Sequence, residues 1–186
     1  MASRLLYSGP SAEVLHREYA ARGRVDPGAQ LRSSSSRVIG HPVDRVWRAL
    51  TDLPAWPSWA ANVRVTEFDG VRPGARFRWR LNGVAIRSRF GVVRPHRELT
   101  WTGAFLWFRA VDRHLLEPLG EDATRVTIEE SLAGPLLPLC YSAARLRANH
   151  DRWLADLAAH LDTLDASGTP DAAVRRKAGR EPYRGG

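Results

Sequence analysis

Hydrophobic and polar residues alternate over short stretches between residues 62 and 132, a pattern that predicts a succession of antiparallel strands. The clearest stretch is 75–81, where Phe77 and Trp79 share one face and three arginines take the other. The Asn-Gly pair at 82–83 favours a tight hairpin, because both turn positions need a positive φ. In the strand after this hairpin the predicted inward residues are Ile86, Ser88, Phe90 and Val92. Strands are predicted at about 30–40, 62–68, 75–81, 84–94, 97–102, 106–117 and 124–132.

Helical periodicity follows the first strand and returns at the end of the chain. Residues 43–50 predict one helix, and Trp56, Pro57 and Trp59 mark a second, tighter turn of helix. After Gly134-Pro135 one long amphipathic helix is predicted, with an apolar stripe made of Leu139, Ala143, Leu146, His150, Trp153, Leu157, Leu161 and Leu164. Near the start of the chain, 10–22 predicts a short helix that packs on the outside of the domain.

These elements together predict an α+β helix-grip fold: a curved antiparallel sheet wrapped around a long C-terminal helix, with two short helices after strand one. Such an arrangement leaves a cavity between the sheet and the helix, so binding of an apolar ligand is the first functional hypothesis. The predicted divisions are an N-terminal extension with a short helix at 1–30, the ligand-binding domain at 31–165 and a basic tail at 166–186. The tail is expected to be disordered, because no apolar period survives in it.

Composition narrows the classes of partner. The 186 residues and the hydrophobic content of 44% suit one domain with a substantial core. No run approaches the ~18 apolar residues of a membrane span, and the single cysteine, Cys140, fits a reducing compartment. A cytoplasmic protein without a membrane span is therefore expected, and Cys140 is expected to be a small buried hydrophobe. The net charge of +8 is spread along the chain, which argues against specific binding of nucleic acid.

Four segments carry a resemblance to a known family: IGHPVDRVWRALTD with PAWPSW, RPGARFRWRL, a strand ending in LLEP, and ESLAGPLLPL leading into the last helix. Over about 31–164 the chain resembles the START-like proteins of the polyketide cyclase/dehydrase and lipid-transport type. The resemblance implies the helix-grip fold. It implies no particular catalytic residue, because that family includes cyclases, dehydratases, lyases and ligand carriers without a common catalytic motif.

Four ionisable residues fall on faces that the pattern assigns to the interior. Asp112 and His114 lie on the apolar face of the sixth predicted strand, Glu130 lies on that of the seventh, and His150 lies on the helical stripe. A carboxylate beside a histidine fixes the imidazole tautomer and raises its basicity, which suits general acid–base catalysis. His114 is therefore expected to be the acid or base, with Glu130 or Asp112 as its orienting partner. Alternatively, these groups hydrogen-bond a loop at the cavity mouth or are satisfied within the core. A two-histidine, one-carboxylate iron site lacks the local ligand spacing, so no metal is expected.

The other candidate ligand contacts are aromatic or lie on the last helix. Large flat rings on inward faces suit a polycyclic or aromatic ligand, although such rings can equally fill a core, as is expected for Trp47, Trp56 and Trp153. The candidate binding residues are Phe77, Trp79, Phe90, Trp101, Phe108, Tyr141, Leu146, Asn149 and His150. The sequence contains no dinucleotide-binding glycine motif, phosphate-binding loop, nucleophile elbow or zinc-protease motif, so no cofactor is expected.

The sequence supports two classes of function. The first is an enzyme that binds a small, largely apolar metabolite of polyketide or polycyclic type and converts it by acid–base chemistry, as a cyclase or dehydratase. The second is a non-catalytic carrier or sensor of a lipid or isoprenoid. RNA binding through the basic surface ranks third, and the oligomeric state is left open.

Overall fold

A seven-stranded sheet with helices on both faces makes up the computed structural model, which describes residues 6–167. The strands are β1 (Leu31–Ile39), β2 (Val63–Phe68), β3 (Arg76–Leu81), β4 (Val84–Arg94), β5 (Glu98–Phe105), β6 (Phe108–Pro118) and β7 (Thr124–Ala133). The helices are α1 (Ala12–Glu18), α2 (Val43–Thr51), α3 (Leu137–Cys140) and α4 (Ala143–Ala166), with 3₁₀ helices at Ala20–Arg22 and Leu53–Ser58. The predicted tail lies outside the described residues from position 168 onward.

The strands run in the order β1-β7-β6-β5-β4-β3-β2, and every neighbouring pair is antiparallel. All seven predicted strands are present. Two β-bulges, between Val65 and Glu67 and between Phe90 and Val93, bend the half of the sheet that contains β2 and β4. The predicted α+β architecture, a curved antiparallel sheet with two short helices after β1 and a long C-terminal helix, is confirmed.

The bulge in β4 corrects one detail of the predicted alternation. Val92 is expected on the inner face, but Val93 is the residue that pairs with Leu99 and packs against the main core. An extra residue in the strand shifts the alternation by one position, so the pattern fails from the bulge onward. Gly91 occupies the bulge, and a Cβ there would come within 2.3 Å of the backbone of Ala20.

The last helix is interrupted, whereas the periodicity predicts one continuous helix. After α3 the backbone of Tyr141 is extended, with φ −144° and ψ 146°, and the Ser142 side chain then accepts a hydrogen bond from the backbone N–H of Arg145 at 3.2 Å. Leu139 precedes this break and is exposed rather than buried on the stripe. The side chains of α4 that are buried are Leu146, His150, Leu154, Leu157 and Leu161.

Small side chains let α4 lie close to the edge of the sheet. Ser33 and Ser35 of β1 face the same side as Glu130 and Ile128 of β7, and their hydroxyl oxygens are buried. The serine run that makes β1 a weak strand by propensity therefore accommodates the helix. Further along α4, leucine side chains join Trp47 of α2 and the 3₁₀ residue Trp56 in the main core.

The N-terminal segment packs on the outer face of the sheet, as predicted. Leu15 of α1 and Ala20 form a small core with Val111 of β6. Beside this core Glu98 is buried against Gly23 and forms an ion pair with Arg113, with Oε1 and Nε 2.8 Å apart. The outer face is thus covered over β4 to β6, and the space for a ligand lies on the inner face.

Candidate functional site

A cavity of about 570 Å³ lies between the inner face of the sheet and the start of α4. Strands β3 to β7, the loop before β2, α3 and the first half of α4 all contribute to its walls. Trp79, Trp101, Phe108 and Leu146 are among the lining residues. Cavities of roughly 300–1,000 Å³ that are mostly apolar are typical of small-molecule sites.

The cavity occupies one end of the interior because the side chains there are small. Gly103 and Ala110 are directly paired on the inner faces of β5 and β6, and both line the cavity. At the other end Phe77 and Phe90 stack with their ring centroids 4.6 Å apart, and Trp56 packs edge-on against Phe77. The sheet therefore carries a packed aromatic core at one end and ligand space at the other.

Four ionisable side chains share one patch of the cavity wall, and we refer to Asp112, His114, Glu130 and His150 as the acid–base cluster. Asp112 of β6 is the direct neighbour of Glu130 across the β6–β7 pairing. His114 lies two residues further along the same face of β6, and His150 reaches the patch from α4. The structure thus brings together the four residues that the alternation and the helical stripe assign to the interior.

The first pair in the cluster is Asp112 with His114. Nδ1 of His114 lies 3.1 Å from Oδ1 of Asp112, which is close enough for a proton to pass between them. The contact lacks the geometry of a hydrogen bond, and no described residue supplies one to either nitrogen of His114. The imidazole stacks on Trp101, with ring centroids 4.8 Å apart. Buried polar atoms without partners are uncommon in folded proteins, so this pair has hydrogen-bonding capacity left for a ligand.

The second pair is Glu130 with His150, whose Nε2 lies 2.8 Å from Oε2 of Glu130. Burial raises the pKa of the Glu130 carboxyl, and the nearby charge of Asp112 adds to this, although the hydrogen bond from His150 acts in the opposite direction. Burial lowers the pKa of His150, but the hydrogen bond and charge of Glu130 outweigh it, so the pKa of His150 is raised. Both shifts mean that the pair keeps a proton to higher pH than the separate groups would in water.

Within the cluster the carboxylates lie nearer to the open space than the imidazoles do. The side chains of Asp112 and Glu130 are 18% and 15% exposed, while both histidine rings are buried behind them. A ligand in the cavity would therefore meet the carboxylate oxygens first. The imidazoles are placed to hold or exchange protons with those carboxylates.

The aromatic candidates divide between the cavity and the core. Trp79, Trp101 and Phe108 line the cavity, and Trp79 donates a hydrogen bond from Nε1 to the hydroxyl of Ser88 at 3.0 Å. Phe77 and Phe90, which are expected to contact ligand, instead lie in the packed core because Trp56 fills the space in front of them. Of the three tryptophans expected to be core residues, Trp47 and Trp56 are buried in it. The third, Trp153, is half-buried and lines the cavity.

The candidates near the helix break lie at the cavity mouth. The side-chain amide of Asn149 donates a hydrogen bond to the hydroxyl of Tyr141, and both residues line the cavity. Burial raises the pKa of the Tyr141 hydroxyl, and the charge of Glu130 raises it further. The guanidinium of Arg145 lies over the Tyr141 ring, 5.3 Å from its centroid. Leu146 is buried beside them, one turn into α4.

Several residues that line the cavity are not among the candidates predicted from the sequence. Asn62 and Asn82 come from loops, and Arg152 and Asp156 come from the polar side of the predicted stripe. Cys140, expected to be buried, is exposed and lines the mouth because α3 ends there. Only the Asn-Gly hairpin carries a signal that marks its position in the sequence. The others depend on how α4 is rotated and on where the helix breaks.

The described part of the chain contains neither a metal-binding group of side chains nor a membrane-spanning helix. Within residues 6–167 no three His, Cys, Asp or Glu side chains are grouped so as to hold a metal ion. Over the same range no helix combines the length and the apolar character needed to cross a membrane.

Comparison with known families gives a match over most of the chain. The model of the family described as polyketide cyclase / dehydrase and lipid transport matches residues 30–162. The chain belongs to this family. No curated protein sequence matches the chain significantly. Membership agrees with the resemblance in the sequence and with the position of the cavity between sheet and helix.

Solved structures of similar fold accompany the family match. A hypothetical protein of Helicobacter pylori, jhp0584, superposes with a TM-score of 0.62 at 22% identity, covering 72% of this chain and 90% of that one. A START superfamily protein from Mycobacterium smegmatis gives a TM-score of 0.58 at 15% identity, covering 72% and 98% of the two chains. DynU16, a protein in the dynemicin biosynthetic locus, gives a TM-score of 0.59 at 23% identity, covering 71% of this chain and 47% of that one. At these identities the likeness shows the fold alone.

Proposed function

We propose that this member of the polyketide cyclase/dehydrase and lipid transport family binds a small, largely apolar metabolite of polyketide or polycyclic type and converts it as a cyclase or dehydratase. The observation that carries the proposal is the acid–base cluster, in which two carboxylate–imidazole pairs lie side by side on an otherwise apolar wall. The occurrence of DynU16 in a biosynthetic locus adds support from a protein of similar fold.

The Asp112–His114 pair is the base in this proposal. A carbon acid next to a carbonyl group gives its proton to the Asp112 carboxylate, and the electron pair of the broken C–H bond forms an enolate. His114, whose Nδ1 lies 3.1 Å from that carboxylate, then accepts the proton from it as a neutral imidazole, and the carboxylate is restored. The unfilled hydrogen-bonding capacity of His114 leaves it free to respond to the ligand.

The Glu130–His150 pair is the acid, because raised pKa values keep a proton on the pair. In a dehydration this proton goes to the departing hydroxyl oxygen, which leaves as water while the enolate electrons form a carbon–carbon double bond. In an aldol cyclisation the enolate carbon instead attacks a second carbonyl of the same chain, and the pair protonates the oxygen of that carbonyl. The two pairs thus take up one proton and release one, as either reaction requires.

The aromatic walls act as a template for the ligand. Trp79, Trp101 and Phe108 surround the space in front of the cluster and offer flat apolar surfaces on which a ring or a folded chain can stack. Exclusion of water by these walls strengthens the electrostatic interactions of the cluster with a developing oxyanion.

The experiment is turnover of a panel of β-hydroxyacyl and poly-β-ketoacyl thioesters, followed by mass spectrometry for loss of water or for a cyclised isomer. His114→Gln should fold and still bind the substrate, while its kcat falls by roughly 10²–10⁴-fold, the usual contribution of a general acid or base. The matched control is His160→Gln, because His160 is a partly buried histidine of α4 that stacks on Trp59 outside the cavity. That control should turn over like the wild type.

Two results would count against the proposal. Unchanged turnover in folded His114→Gln protein would remove His114 from the mechanism. Binding of the thioesters or of a co-purifying lipid, with no product from the wild type, would assign the cavity to a non-catalytic carrier or sensor of a lipid or isoprenoid.

A further inference from the structure

Exposed apolar side chains gather around the mouth of the cavity. Val84 lies in the β3–β4 hairpin, Leu106 and Trp107 in the β5–β6 hairpin, and Leu136 and Leu139 in and beside α3; we name these five residues the apolar rim. The same three segments supply Asn82, Phe105 and Leu137 to the cavity lining, so the rim lies along one side of the opening. Leu106 is 73% exposed, Leu139 is 71% exposed and Trp107 is 53% exposed.

Two of the rim leucines also have an unfavourable backbone conformation. The φ of Leu106 is 50° and that of Leu136 is 61°, in the left-handed region that bulky residues rarely adopt. Glycine or asparagine relieves this strain, and asparagine occupies such a position at Asn82, with φ 51°. A strained leucine that is largely exposed contributes little to the stability of the fold. Such a residue points to a role in a contact outside the molecule.

Exposed arginines lie near the rim, in the β3–β4 hairpin and in the first turns of α4. In β3 and β4 the arginines Arg78, Arg89 and Arg94 form ion pairs with Glu67, Glu13 and Glu98. Arg80, beside the β3–β4 turn, donates a hydrogen bond only to the backbone carbonyl of Gly83 among the contacts of the described residues. Among Lys, Arg, Asp and Glu, residues 99–111 include Arg109 alone, and 131–150 include only Arg145 and Arg147. Arg145 and Arg152 line the cavity together with Asp156, and the exposed residues Arg80 and Arg147 adjoin the lining residues Leu81 and Leu146. The partner that fits this surface has an apolar interior and a negatively charged boundary.

We propose that the cavity mouth docks on an anionic lipid surface, with the apolar rim inserted below the headgroups and the nearby arginines paired with lipid phosphates. Exposed Leu and Trp side chains flanked by Arg are the combination that binds the interface of a bilayer without crossing it. In this orientation the opening of the cavity faces the bilayer, so an apolar ligand passes between the cavity and the bilayer without entering water. The proposal is independent of the acid–base chemistry and holds whether the ligand is converted or only carried.

The test is co-sedimentation of the full chain with vesicles of phosphatidylcholine alone and of phosphatidylcholine with phosphatidylglycerol. We expect binding to the anionic vesicles to be tighter by about tenfold or more and to weaken as salt is added, because each arginine near a charged surface contributes about fivefold. Arg145→Gln with Arg147→Gln should lower that affinity about tenfold or more. Arg37→Gln with Arg97→Gln, exposed residues away from the mouth, should change it little.

The apolar contribution is tested with a matched pair of double variants. Leu106→Asn with Leu139→Ser should lower vesicle affinity by about tenfold or more, since two leucine side chains no longer leave water. Val38→Ser with Leu119→Ser removes exposed apolar side chains from the outer face of β1 and from the β6–β7 turn, and should bind within about twofold of the wild type. Because asparagine tolerates a positive φ, Leu106→Asn alone should melt at the same temperature as the wild type or higher.

The outcomes separate the proposal from its competitors. Equal binding to neutral and anionic vesicles, no binding to either, or equal losses in the rim and control variants would each overturn it. Binding to polyglutamate but not to vesicles, lost in the same rim and arginine variants, would replace the lipid surface with an acidic protein.

Discussion

Raising the pH should destabilise the fold through the Glu130–His150 pair. In the unfolded chain the two groups have ordinary pKa values of about 4.3 and 6.5, whereas burial of Glu130 and its contact with His150 raise both in the folded protein. A group whose pKa is raised by folding stabilises the protein fully below its unfolded pKa. That stabilisation is lost as the pH rises through the folded pKa.

The loss of stability is limited by how many more protons the folded state binds than the unfolded state. Each proton that the folded state keeps and the unfolded state releases lowers the free energy of unfolding by at most about 1.4 kcal/mol per pH unit. Above about pH 6.5 the unfolded histidine is already neutral, so the decline continues from there up to the folded pKa of His150. The pKa values of His16 and His160 are lowered, with burial as the largest cause, and these groups give a slope of the opposite sign.

Glu130→Gln should abolish the decline above about pH 6.5, because His150 loses the negatively charged acceptor that raises its pKa. The measurement is urea unfolding, followed by tryptophan fluorescence, at a series of pH values from about 6 to 9. The quantity to plot is the difference in unfolding free energy between wild type and variant, in which the slopes of His16 and His160 cancel.

The matched control is Glu129→Gln, the same change at the next residue of β7. Glu129 pairs with Arg113 and is not among the residues that line the cavity, so this variant should keep the slope of the wild type. A wild-type stability that rises between pH 6.5 and 8, or a Glu130→Gln protein with an unchanged slope, would refute the reasoning.

Two further predictions concern packing. Gly91→Ala should lower the free energy of unfolding by about 1–3 kcal/mol in urea titrations, because the added Cβ meets the backbone of Ala20. The control is Gly40→Ala, which should change the free energy of unfolding by less than about 0.5 kcal/mol because no atom lies within 4 Å of its Cβ. Ala110→Leu should melt near the wild-type temperature but weaken binding of an apolar naphthalene dye by about tenfold or more, since the larger side chain enters the cavity rather than a packed core. The control is Ala104→Leu, at the cross-strand neighbour of Arg109, and its affinity for the dye should stay within about twofold of the wild type. Equal losses of dye affinity in both alanine variants would contradict this account.

The composition of the acid–base cluster follows from local pattern. Alternation in β6 and β7 assigns Asp112, His114 and Glu130 to the inner face, and helical spacing assigns His150 to the face of α4 that meets them. These assignments depend only on the period of each element, so they survive without knowledge of the packing. The periods do not determine which carboxylate contacts which imidazole. Glu130 meets His150 rather than His114 because of the rotation of α4 over β7.

The aromatic candidates show where local pattern is insufficient. Phe77 and Trp79 lie on the same face of β3, yet one is core and the other lines the cavity. The difference depends on Trp56, which packs over one end of the sheet after a turn whose direction leaves no periodic signal. The break at Tyr141 is likewise not visible in the apolar spacing. A Ser cap and one extended residue interrupt the helix there without changing the number of residues between successive apolar positions.

The serine run of β1 has a consequence for the behaviour of the chain while it folds. β1 and β2 are the edge strands of an open sheet, and an exposed edge is a template for pairing with another chain. β2 is short, is bulged between Val65 and Glu67 and contains the charged residues Arg64 and Glu67, while the middle of β1 is four consecutive serines. Neither edge presents the continuous apolar, β-branched segment from which aggregates grow. The residues that let α4 approach the sheet therefore also protect the protein from edge-to-edge aggregation.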